Sequence, residues 1–140
     1  MIRSATLSVA LITAAGTAAA QDGSVVPPSD LRKELFGVHL YGIETATGAD
    51  WDECIERSGE TVYRADSDSP YSQAGALVID DRGQACFFYP PGSDPTPSCF
   101  VVTRQGTGYR FNAPAALSTF LTTKVTRDVV TCPDPGQYVG

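Results

Sequence analysis

A chain of 140 residues, 42% hydrophobic and 19% charged, has the composition of one globular domain rather than a disordered tail or a multidomain assembly. Its formal net charge of −6 disfavours nucleic acid and anionic lipid as partners. With a single histidine, any imidazole-based catalysis has to use that one residue.

Residues 1–20 read as a secretory signal peptide. Arg3 supplies the positive start, Leu7 to Ala15 an apolar stretch too short to span a bilayer, and Ala18 to Ala20 the small residues a signal peptidase requires. No later run is long and apolar enough for a transmembrane helix, so the expected mature chain is periplasmic or secreted, without membrane insertion. Residues 21–28 form a Pro-containing linker, 29–133 a single domain and 134–140 a tail. Within the domain, Ser29 is placed to cap a short helix over 30–36, with Gly37 just past its end. Leu31, Leu35 and Phe36 make its apolar side, suited to plugging one end of a barrel or covering a sheet edge.

From Gly37 the period changes to two. Val38, Leu40 and Gly42 alternate with His39, Tyr41 and Ile43, and the glycines permit curvature or close approach. Further strands are expected over 51–57, 60–65, 74–80, 85–89, 99–104, 109–112, 118–126 and 128–132, separated by turn signals such as Ser58-Gly59, Asp81-Arg82-Gly83 and Gly106-Thr107-Gly108. In the second strand Trp51 and Ile55 share a face. Cys54 shares the other, wetter face with Asp52 and Glu56, while Glu53 on the Trp51 face spoils the alternation. About eight short strands with short connections point to an all-β fold, a small antiparallel barrel in preference to a sandwich, with sequence neighbours paired.

All four cysteines follow the leader: Cys54, Cys86, Cys99 and Cys132. Gaps of 31, 12 and 32 residues are wrong for zinc, whereas an even count in an exported chain reads as disulfides. Of three pairings the nested one is favoured, Cys86–Cys99 inside Cys54–Cys132. It clamps the outer bridge across the outside of the sheet and sets a hairpin register in which Ala85 faces Phe100. Entropy gives the inner loop roughly 3 kcal/mol and the outer one somewhat more.

No catalytic, metal or cofactor constellation emerges. His39 reads as a hydrogen-bonded strand residue, and Asp50, Asp52, Glu53 and Glu56 as a solvated acidic face. The segment Asp66-Ser67-Asp68-Ser69 is half of a calcium loop without its Gly and terminal Glu, and reads as a turn. The aromatic residues stand out. The strands around the central hairpin are apolar on both faces, so Phe87, Phe88, Tyr89 and Tyr109 are the candidates for a partner-binding patch near the Tyr89-Pro90-Pro91 corner.

The layout Gly37…Gly42, WDECI, SGETVY, AGALVIDD, QACFFY, SCFVV and GTGYRF, over Leu35 to Asn112, resembles small exported bacterial proteins of lipocalin-like or lysozyme-inhibitor-like β-barrel type. The Gly106-Thr107-Gly108-Tyr109 stretch is similar to the Ser/Gly/Tyr segment of periplasmic inhibitors of c-type lysozyme, but lacks the preceding Ser and a matching Lys loop. The resemblance implies a barrel and assigns no inhibitory residue. The reading that follows is a non-enzymatic exported barrel binding a periplasmic protein, as accessory subunit or inhibitor. The alternative is a lipocalin-like carrier of a small apolar ligand, and the distant one a small periplasmic hydrolase.

Overall fold

Short runs of alternating or doubly apolar residues, each ended by a Gly or polar turn, pair with their neighbours in sequence. The computed structural model describes residues 22–66, 69, 72–90, 96–113 and 118–135. Helix α1 (Pro28–Leu35) precedes β1 (Val38–Glu44), β2 (Asp50–Ile55), β3 (Glu60–Arg64), β4 (Gln73–Ile79), β5 (Ala85–Phe88), β6 (Ser98–Gln105), β7 (Gly108–Asn112) and β8 (Thr119–Arg127). All neighbouring strands are antiparallel, and β8 returns to β1 to close an eight-stranded barrel. The expected barrel is therefore the architecture. Residues 1–20, Ser67, Asp68 and Pro91 lie outside the described residues.

Closure depends on a close approach between β1 and β8. A Cβ at Gly42 would stand 2.0 Å from the Leu121 carbonyl oxygen and 2.9 Å from the Trp51 ring, a space only glycine leaves free. The register shifts between Tyr41 and Gly42, a bulge that bends the strand pair as barrels require.

Helix α1 plugs one end. Leu31 and Leu35 are fully buried among Val38, Ile55 and Leu77, and Gly37, at φ +74°, turns the chain into β1. Ser29 does not cap it. The N-cap is Pro27 without a side-chain bond, and the helix starts at Pro28, whose missing N–H costs nothing in the first turn. Arg104 and Arg127 reach Glu34, the first through its carboxylate and the second through its carbonyl.

Two terminal segments differ from expectation. Residues 23–26, expected as linker, hydrogen-bond to the β6 backbone through Gly23 N–H to Arg104 O, Val26 N–H to Val102 O and Arg104 N–H to Ser24 O. β5 has four residues and β6 eight, so the far half of that β6 edge would otherwise be unpaired. Residues 128–132, expected as a strand, are a strap. Asp128 takes φ +62°, which breaks the ladder after β8, and β1 already has partners on both sides.

Both nested disulfides are present. Cys86–Cys99 joins directly opposed residues of β5 and β6, with Ala85 opposite Phe100. Cys54–Cys132 fastens the strap to the outside of β2. They put the chain in an oxidising, non-cytoplasmic environment. No helix among the described residues is long and apolar enough to cross a membrane.

Candidate functional site

The barrel register sorts side chains into an interior set and an outer set. Glu53 pairs with Tyr63, Leu77 with Phe87, and Phe111 with both Val102 and Phe120, so these point inward. The rings pack edge to face: Trp51 against Phe111 and Phe120, and Phe100 against Phe87, Phe111 and Phe120, at centroid separations of 5.6–6.2 Å. Such packing holds the walls apart rather than collapsing them, and a cavity of about 250 Å³ remains, lined by these rings with Leu40, Glu53, Tyr63 and Tyr89. Its mouth is at the end opposite α1, where the exposed Gln73 and Ser98 border it.

One carboxyl stands inside this aromatic chamber. Glu53 is 3% exposed, and Tyr89 Oη donates to its Oε2 at 2.6 Å. Its Oε1 has no hydrogen-bond partner among the described residues, and neither has Trp51 Nε1. Burial pushes the Glu53 carboxyl up to about 8, against the opposing influence of the Tyr89 and Thr61 hydroxyls. The same burial, with Glu53 beside them, pushes Tyr63 up to about 12 and Tyr89 well above the phenol range. Around neutral pH Glu53 is mostly a neutral acid, poised to ionise if a positive charge arrives.

A second polar cluster lies on the outer face of β1, β2 and β3. Asp52 takes a 2.8 Å bond from His39 Nε2 and bonds of 2.6 and 2.7 Å from Arg64. Tyr41 Oη lies 3.1 Å from His39 Nδ1, with the two rings stacked at 4.3 Å. In the neutral ring Nε2–H donates to Asp52, so Nδ1 accepts from the Tyr41 hydroxyl. Burial alone would raise Asp52, but bonds from His39 and Arg64 outweigh it and hold the carboxyl below its usual range. Tyr41 is raised by burial and by the Asp52 charge, opposite to the activation a nucleophile needs.

The expected solvated face of Asp52 is thus corrected: its side chain is 1% exposed. Cys54 also sits on the outer face as expected, yet it is not wet but 1% exposed. The reason is the strap, which crosses here on the Cys54–Cys132 bond, the Cys132 N–H to Glu56 bond and the Ser72 hydroxyl to Pro135 bond. Of the four candidate partner residues, Phe87 and Tyr109 are buried in the barrel and Tyr89 packs against the core. Only Phe88 faces out, because β5 is apolar on both faces and sequence alone could not choose which side closes inward. Glu53, expected on the same solvated face, is also corrected, since it is buried; its place on the Trp51 face, where it broke the alternation, was the available signal. Among the described residues no His/Cys/Asp/Glu group could hold a metal ion. No protein-family model, no curated protein and no solved structure matches the chain, so fold and site rest on its own residues.

Proposed function

We propose that this chain is an exported small-ligand-binding barrel, periplasmic or secreted after loss of residues 1–20, whose ligand occupies the aromatic cavity. The observation that carries this is the cavity itself, about 250 Å³ in a barrel of a size usually filled by its own side chains. An apolar void of about 150 Å³ already holds a benzene molecule, so one substituted ring or a short chain fits here. Filling the void would restore dispersion contacts that the facing rings now lack.

Native mass spectrometry of the oxidised protein purified from its own extract tests this. The expected spectrum carries a small bound mass. Ser98→Phe, which extends a ring into the mouth opposite Phe87, should remove that mass and leave the fold intact. A protein that is always empty and takes up no small aromatic compound would sink the reading.

A second reading, a protein partner, keeps a narrower basis. Val78 and Phe88 are 47% and 37% exposed on the outer face of β4 and β5. Phe88→Ser should weaken capture of such a partner without unfolding the barrel, and unchanged capture counts against it.

A further inference from the structure

The cavity combines aromatic walls with one buried carboxyl and no base. No Lys, Arg or His lines it among the described residues. The groups acting on Glu53 are Tyr89 beyond β5, Thr61 and Tyr63 on β3 and Asp52 on the opposite face of its own strand, and none is a cation. The Thr61 hydroxyl stands beside the carboxyl but, like Oε1, makes no hydrogen bond of full geometry among the described residues. Its Oε1 is unpartnered. Each ligand class meets these facts differently. An anion would face Glu53 with nothing to neutralise it. A purely apolar ligand would fill the void, displace water from it and leave Oε1 without a hydrogen-bond partner. An organic cation would pair with Oε1 and present its remaining surface to ring faces, whose quadrupoles attract positive charge.

We infer that the ligand of this barrel is a small organic cation, a protonated amine on a single-ring or short-chain body, held by Glu53 as counter-ion inside the cage of Trp51, Tyr63, Phe87, Phe100 and Phe120. The inference rests on the small-ligand reading above and adds its chemical class. Binding is coupled to a proton. Ammonium nitrogen approaches Oε1 as the carboxyl O–H bond breaks, and the proton leaves to solvent, so the pair forms as ammonium and carboxylate. With the empty-site carboxyl at about 8, ionising it costs roughly tenfold in affinity at pH 7, and that cost vanishes as pH rises above it. The amine itself stays protonated throughout this range, since its own pKa is near that of lysine.

The test uses three probes with the same ring and chain length: 2-phenylethylamine, 2-phenylethanol and phenylacetate, titrated calorimetrically into the full oxidised protein. Trp51, the sole tryptophan, lines the cavity and reports occupancy by fluorescence. The amine should bind at least tenfold more tightly than the alcohol, and phenylacetate should not bind. From pH 6 to pH 8 the amine affinity should rise by about fifty-fold, with release of close to one proton at pH 6 in buffers of different ionisation enthalpy, while the alcohol shows neither effect. Glu53→Gln should lose the preference for amine and keep the alcohol. The proton count on the unaltered chain stands even if that variant folds poorly. Alcohol binding as tight as amine, or amine binding without proton release, overturns the cation and leaves the barrel reading in place. Failure of all three probes to perturb Trp51 overturns both.

Discussion

Tyr89 Oη donates a 2.6 Å hydrogen bond to Glu53 Oε2, tying the end of β5 to the middle of β2 across the barrel interior. It satisfies one oxygen of that carboxyl and leaves the other facing a chamber of rings. The pair sets the one carboxyl among the described residues of the chamber, and several consequences can be measured.

The first is a stability that falls with pH. Glu53 is raised from an ordinary 4.5 to about 8, so between those values the folded chain holds a proton that the unfolded chain has released. Its stabilising contribution is complete below about pH 4.5 and is lost as pH rises towards 8, on the order of 4 kcal/mol in total. Urea unfolding at pH 5 and pH 8 should show this decline in the parent and a much flatter profile in Glu53→Gln. Parallel profiles for the two proteins would mean that Glu53 is hydrated in the fold.

Removing only the hydroxyl separates the bond from the ring. Tyr89→Phe keeps the contacts with Phe87 and Tyr63 and removes the bond to Glu53 Oε2. The expected loss is about 1–3 kcal/mol, and the Glu53 carboxyl should titrate higher still by carbon-detected NMR. A downward move of that titration would contradict the assigned bond.

On the outer face, Asp52→Asn removes the counter-charge of Arg64, whose side chain is 15% exposed. Breaking such a pair from one side costs about 3 kcal/mol. Because the Asp52 carboxyl is held below its usual range, its contribution is present above the unfolded value of 3.8 and is lost as pH falls through the lower folded value. Unfolding midpoints of parent and variant should therefore differ clearly at pH 6 and converge in strong acid.

The strap predicts a difference between the two disulfides. Replacing Cys54 and Cys132 by Ser removes a link across 78 residues, worth about 4 kcal/mol, against about 3 kcal/mol for the 13-residue link of Cys86 and Cys99. Loss of the outer bridge should also speed carbethoxylation of His39, the only histidine, which pairs with Cys54 on that face. Equal His39 reactivity in both double variants would mean that the strap does not shield the network.

Local chemistry in the chain was enough for the strands, their order and the inner hairpin. Cysteines at mirror positions around a loop admit one register, alternation marks a strand that faces two media, and glycines mark where backbones meet. Gly42 was legible for that reason, and so was the plug formed by Leu31 and Leu35. The exceptions share a cause. In β5, Ala85, Cys86, Phe87 and Phe88 are all apolar, so periodicity cannot say which ring goes inside; closure of β8 on β1 decides that Phe87 is core and Phe88 is surface. Asp52 reads as a solvated acid until the neighbouring strands set His39 and Arg64 around it, and Cys54 reads as wet until residues 128–135, far along the chain, are bonded across that face. Glu53 reads as one of the same solvated acids although it shares the Trp51 face; only the barrel's closure, by burying it and setting Tyr89 beside it, gave that carboxyl its charge state and its chamber.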